Sequence, residues 1–350
     1  MKIAVDTSPL ESGHRIRGVG SYVRNLKEGL EKIDKENSYL FYNSISELQN
    51  TQFDINHIPY FDPFFIHLPV IKRSKIVVTV HDLTPLVFPD LFPVGIKGSV
   101  KWQINKRLLS RADAIVTDSD ASKKDVHRLT GIPHEKIHTV YLSAGPQFKL
   151  LNLSQTMKQK LMDKYKLPDE FVLYVGDVTA NKNLPRLIDA IKEINVTLVL
   201  VGKAVVSKEY DASNPWNHDL VVVQDNIKSD KRFIPLGFVD QEDLVSLYNM
   251  AQLCVLPSIY EGFGLPVLEA MQTGCPVVTT KSGSLPEVGG DAVYYVDPYD
   301  VQSIANGIGE VFFSNDLRTK LIKTGLKHAE KFTLDKSINN LVNVYQQLSK

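Results

Sequence analysis

At 350 residues the chain is long enough for two domains, each with its own core. Its 40 basic and 40 acidic side chains balance, and with 43% hydrophobic and 23% charged residues the composition excludes a disordered chain and offers no basic surplus for a nucleic-acid partner. The two cysteines, Cys254 and Cys275, fit neither a disulfide framework nor a zinc site and read as buried thiols, while no apolar run approaches the roughly 18 to 20 residues that cross a bilayer. Together with the early acid in MKIAVD, which does not suit a signal peptide, this predicts a cytoplasmic protein.

Short apolar runs rich in β-branched residues recur along the chain: KIAVD, KIVVTVHD, ADAIVTDS, FVLYVGD, VTLVLVG, LCVLPS and CPVVTT. Each is followed by a loop and a helical pattern, which predicts stacked β-α units with parallel sheets covered by helices on both faces. After the first run, RGVGSYVRNL (17–26) places Gly18 and Gly20 before a helix, without the G-x-G-x-x-G spacing of a dinucleotide-binding turn. Asp118-Ser119-Asp120 has the form of a metal-binding D-x-D, but it ends a strand and begins a helix, so Asp120 reads as an N-cap. His127, His134 and His138 lack metal-ligand spacing, and no metal or cofactor is expected.

Between residues 145 and 170 the pattern gives way to a polar, Lys-rich stretch before FVLYVG restarts it. The predicted organisation is therefore residues 1–150, residues 151–333, and a last helix in 334–350, N-capped by Thr333, that packs back on the first domain.

The strongest motif is SIYEGFGLPVLEAMQTGCPVV (258–278). Glu261 falls on a loop, and Gly262, Phe263 and Gly264 lead into a helix whose start suits Pro266 and whose first turns carry Glu269. Backbone N–H groups there, at the positive end of a helix dipole, suit anionic oxygens, and the carboxylates suit hydroxyls.

This stretch resembles the motif of the retaining glycosyltransferases of family 4, in which seven residues separate two Glu. VTVHDLTPLVFP, DAIVTDSDASKKDV, LYVGDVTANKNLPRLIDA, VLVGK, LGFVDQEDLVSLYNMAQLCVLPS and GSLPEVGGDAVYYVDPYD look like further landmarks of that family, in order and over nearly the full chain. The resemblance implies an α/β GT-B fold, two Rossmann-like domains facing a central cleft, with an acceptor domain first and a donor domain second. It also implies roles for single residues. Glu269 would bind the ribose hydroxyls of a nucleotide-diphosphate sugar, while Glu261 and the amides after it would hold the transferred sugar and its phosphate. His81 would lie beside the reacting centre, Lys182 would neutralise the leaving diphosphate, and the Gly18–Gly20 loop would approach the phosphate. The family's usual second basic residue is replaced by Asp177 or Asn181, which makes Lys203 the substitute candidate.

The implied reaction is metal-independent, retaining transfer of a hexose, mannose from GDP-mannose above all, to a saccharide or lipid-linked acceptor. A sugar-nucleotide epimerase and a non-catalytic sugar-nucleotide-binding protein are the alternatives. HIPYFDPFFIHLP (57–69) and LVFPDLFPVGIKGSVKW (86–102) read either as core and turns or as acceptor loops, with Lys72, Arg73 and Lys75 placed for a peripheral membrane contact.

Overall fold

The computed structural model describes residues 1–11, 18–49 and 51–349. The chain divides into two units, one of residues 1–89, 94–145 and 332–350, the other of residues 90–93 and 146–331. Each is built on a six-stranded parallel sheet with helices on its faces.

The first sheet contains β1 (Lys2–Asp6), β2 (Ser38–Tyr42), β3 (Ile55–Ile58), β4 (Lys75–Val80), β5 (Ala114–Thr117) and β6 (Ile137–Thr139), in the order β2-β1-β3-β4-β5-β6. Every residue of β3 and β5 is buried, as expected of strands covered on both faces. One face packs Ile3, Val5, Val77 and Val116 against Leu26 and Leu30 of the helix Gly18–Ile33 and Ile338, Leu341 and Tyr345 of the last helix, Leu334–Ser349. The other face packs Val78, Val80 and Ile115 on Leu83, Leu109 and Val126. Full burial of such side chains stabilises by about 1.5–3 kcal/mol each, so the last helix is part of this core. Close approach of the two helices needs Gly29, where a Cβ would come within 2.6 Å of Ile338. Thr333 Oγ1 accepts the N–H of Lys336 at 3.3 Å and caps the last helix.

Several local expectations are corrected here. Gly18 and Gly20 form the first turn of their helix rather than a loop before it, and residues 12–17, Arg17 included, lie outside the described residues. Ser119, not Asp120, caps the helix Asp120–Thr130, accepting from Ser122 N at 3.0 Å; Asp120 instead accepts from Thr139 Oγ1 at 2.6 Å. His57 and Ile58 end β3 and are buried, so they belong to no loop. Much of 86–102 is helical, since it runs into the helix Gly95–Leu109.

The second sheet contains β7 (Val172–Val175), β8 (Leu198–Val201), β9 (Phe233–Gly237), β10 (Leu253–Leu256), β11 (Val277–Thr280) and β12 (Tyr294–Val296), in the order β12-β11-β10-β7-β8-β9. The order reverses between β7 and β10, and the loops that leave their carboxyl ends flank the crevice where doubly wound sheets bind ligands. Cys254 and Cys275 are free and buried. No helix among the described residues is long and apolar enough to cross a membrane.

Candidate active site

The two loops at the reversal of the second sheet carry the main constellation. Lys182 ends the 3-10 turn Ala180–Lys182 after β7, and Glu261 lies on the loop after β10. Lys182 Nζ donates to both carboxylate oxygens of Glu261, at 2.6 and 2.8 Å, and Ser258 Oγ donates to Glu261 Oε1 at 2.6 Å. Both side chains are largely screened from solvent, at 18% and 9% exposure, so removing either partner leaves a poorly hydrated charge. The resemblance gives these residues separate roles, whereas the structure joins them in one ion pair.

The backbone of Glu261 is fixed as firmly as its carboxylate. Ser284 donates through its N–H and Oγ to the Glu261 carbonyl, at 3.1 and 3.0 Å. Gly283 adopts φ +56°, and a Cβ there would lie 2.5 Å from that carbonyl oxygen, so only glycine allows the approach. Gly264, at φ +93°, leads into the helix Leu265–Gln272 with Pro266 in its first turn; Gly262 and Phe263 before it are buried.

Glu269, in the second turn of this helix, accepts the hydroxyl of Tyr248 at 2.8 Å. Burial pushes its carboxyl up to about 7, against the opposing effect of the Tyr248 hydrogen bond. Near neutral pH the carboxyl is therefore poised between its acid and anionic forms.

The Asn181 position is no vacant cation site. Its Nδ2 donates to Tyr260 O at 3.0 Å, its Oδ1 accepts from Thr179 Oγ1 at 2.8 Å, and its carbonyl accepts Ile259 N–H at 2.8 Å. This buried side chain ties the Lys182 loop to the Glu261 loop. Lys203 opens the turn Lys203–Val206 after β8, beside the β7 loop, because a Cβ on Gly202 would lie 2.1 Å from Gly176 O. Among the described residues Glu261 pairs with Lys182 and not with Lys203.

In the first unit, β4 and β5 are paired with Val80 opposite Thr117, so His81 and Asp118, each one residue further on, emerge side by side. His81 Nδ1 lies 2.7 Å from Asp118 Oδ2 and Nε2 3.2 Å from Pro59 O, while Ser122 Oγ donates to the His81 carbonyl at 2.8 Å. Tyr22 sets its ring edge-on to the imidazole at 4.8 Å between centroids, and its hydroxyl meets Thr79 Oγ1 at 3.2 Å. Burial alone would lower the His81 pKa, but the adjacent Asp118 carboxylate outweighs it and holds the ring above the usual histidine value. Gly18 is exposed, with nothing within 4 Å of where a Cβ would stand, so nothing described at that position requires glycine.

Sequence reasoning missed Asp118, Ser258, Ser284 and Tyr248. Asp118 was legible in principle, since two adjacent parallel strands ending in HD and DS place those residues together once the pairing is known. Among the described residues no group of three or more His, Cys, Asp and Glu could hold a metal ion.

Comparison with known proteins places the chain in a family. The model of the glycosyl transferases group 1 matches residues 157–328, and that of Glycosyltransferase Family 4 matches residues 34–143. The serotype-specific mannosyltransferase WbdA of Escherichia coli is 31% identical over 262 residues, 74% of this chain but 32% of WbdA, so the chain spans about a third of that relative. The O-antigen chain mannosyltransferase B of Escherichia coli is 31% identical over 284 residues, which are 79% of this chain and 71% of the relative. Among solved structures, sucrose-phosphate synthase from Thermosynechococcus elongatus superposes with a TM-score of 0.75 at 19% identity, covering 99% of each chain. Anabaena HepE in complex with UDP and glucose gives 0.72 at 18% identity, covering 99% of this chain and 100% of that one. With two Rossmann-like units and this motif geometry, the chain belongs to the group 1 glycosyltransferases and has their GT-B fold.

Proposed function

We propose that the protein is a retaining hexosyltransferase that moves mannose from GDP-mannose to a saccharide or lipid-linked acceptor. The observation that carries this reading is the Lys182–Glu261–Ser258 cluster at the reversal of the second sheet, followed by the helix that bears Glu269. Two relatives named as mannosyltransferases support the sugar, and a neighbour solved with UDP supports a nucleotide ligand.

In this reading Glu269 accepts hydrogen bonds from the ribose hydroxyls. Lys182 turns from Glu261 to the diphosphate, where a fixed cation lowers the barrier as charge builds on the leaving oxygens. Glu261, released on that side but still held by Ser258 and Ser284, accepts from sugar hydroxyls. The family resemblance gives His81 a role at the reacting carbon of the donor sugar. The protein then works mainly by positioning and charge stabilisation.

The test is a panel of nucleotide sugars incubated with the protein, with and without mannose-terminated glycans, following released nucleotide and product. Acceptor-stimulated release of GDP from GDP-mannose with an α-linked product is expected. Conversion of the nucleotide sugar to an epimer, or binding without turnover, would replace this reading.

A membrane-bound acceptor is supported by the helix Gly95–Leu109, which carries Lys97, Lys101, Lys106 and Arg107 and no acid. Ile96 and Val100, one turn apart, are 86% and 55% exposed on it. An apolar strip beside basic groups suits the interface of an anionic bilayer. Sedimentation with phosphatidylglycerol vesicles should retain the protein and lose the Ile96→Asp/Val100→Asp variant.

A further inference from the structure

Both ring nitrogens of His81 face oxygen atoms. Nε2 is 3.2 Å from the carbonyl of Pro59, and a carbonyl can only accept, so Nε2 carries a proton. The 2.7 Å contact between Nδ1 and Asp118 Oδ2 also needs a proton, since two lone pairs would repel at that distance. Two protons thus serve both contacts of the pair. Whether the shared one sits on Nδ1 or on Oδ2, the pair as a whole is neutral and the ring has no spare lone pair.

We propose that Asp118 is a positioning residue for sugar transfer, holding His81 in the form whose Nε2 is a hydrogen-bond donor and thereby excluding the ring as a general base. The inference rests on the proposed reading of His81 as a residue that serves sugar transfer. Asp118 is 3% exposed, and its Oδ1 has no hydrogen-bond partner among the described residues. Among the described residues the His81 contact is therefore the carboxyl's one hydrogen bond in a buried site, and each group depends on the other.

The surrounding elements leave the shared proton in place. Asp82, on the loop after β4, strengthens its retention on both members. His57 of β3 is held neutral, its pKa pushed down to about 3 by burial, and the Tyr22 phenol is pushed well up, so neither takes the proton. Tyr22 against the ring and Ser122 on the His81 carbonyl keep the imidazole in one orientation.

The anomeric C–O bond to the diphosphate breaks, the bond from the acceptor oxygen forms on the same face, and the acceptor's proton passes to an oxygen of the departing diphosphate. Atoms and charges balance without any base on the protein, and the His81 ring, both of whose nitrogens are committed to Asp118 and Pro59, takes up no proton.

The test is the ¹⁵N spectrum of the histidine-labelled full chain, with His81 assigned through the signals lost in His81→Gln. Up to pH 8, where an ordinary histidine with a pKa of about 6.5 is neutral, His81 should show no ring nitrogen with the shift of an unpaired lone pair. A lone-pair nitrogen that titrates near 6.5 in the wild type would overturn the proposal, and this arm requires no variant to fold. In Asp118→Asn the ring should become neutral at pH 7.5, and kcat for GDP release from GDP-mannose should fall about tenfold or more with KM within about twofold. Unchanged kcat in a folded Asp118→Asn would also overturn it. Full turnover by His81→Gln would remove His81 from the reaction and the positioning role with it, a failure told apart because the wild-type spectrum reports the proton arrangement without turnover.

Discussion

Substituting Glu269 by Gln tests the nucleotide site through its pH dependence. The carboxyl has an ordinary value of 4.5 and is pushed by burial to about 7, so ionising it in the folded protein costs about 3 kcal/mol more than in the unfolded chain. Between pH 4.5 and about 7 the folded state holds a proton that the unfolded state has released, so stability is greatest below the unfolded value and falls as pH rises through this window. Without nucleotide, the wild type should lose up to about 3 kcal/mol across it in urea unfolding, and Glu269→Gln should not show this loss. Nucleotide binding runs the other way. Ribose hydroxyls donate to a carboxylate, so binding below pH 7 must release the Glu269 proton, and affinity for GDP should rise by up to about tenfold per pH unit towards 7, then level off. The GDP phosphate itself titrates near pH 6, which makes the difference between wild type and Glu269→Gln the informative quantity. At pH 8 the variant should bind GDP more weakly by about 1.5–3 kcal/mol, the usual worth of hydrogen bonds to a charged group. Calorimetry in buffers of different ionisation enthalpy counts the released protons directly. Identical pH profiles for wild type and variant, with both folded, would refute the ribose assignment.

Lys182→Ala should reduce kcat for donor turnover by roughly 100- to 1,000-fold, as for loss of a donor aimed at developing charge, with thermal melting to confirm folding. Asn181→Arg should not restore a phosphate ligand. It should destabilise the protein by about 1–3 kcal/mol, because it removes the bond to Tyr260 O and buries a cation, and an unchanged Tm would refute the strut role. Gly283→Ala should lower both stability and kcat, since its φ of +56° and the 2.5 Å approach to Glu261 O force the loop to shift. Tyr248→Phe should move the pH profile of GDP affinity further up, because the hydrogen bond that now lowers the Glu269 pKa is gone.

The alternation of β-branched runs with helical patterns was enough to read two parallel α/β sheets, because strands buried on both faces must be apolar throughout. The seven runs read from the sequence hold the strands β1, β4, β5, β7, β8, β10 and β11. Strands β2, β6, β9 and β12, at sheet edges, and β3, which hides Asn56 and His57 inside a buried run, gave no such signal. The family resemblance was likewise enough to single out Lys182, Glu261 and Glu269, because the chain keeps the seven-residue spacing between the two Glu and the NKN loop before a helix. Contacts made across the fold were beyond its reach. Lys182 and Glu261 are 79 residues apart and become an ion pair only because the sheet order reverses between β7 and β10. Asp118 looked like half of a metal motif until the parallel register of β4 and β5 placed it against His81. Asn181 resembled a lost cation until burial showed it binding two loops together. Periodicity and residue chemistry are local properties that a sequence displays directly, whereas partners, protonation states and the burial that sets them depend on which strands lie side by side, and only the tertiary structure decided those.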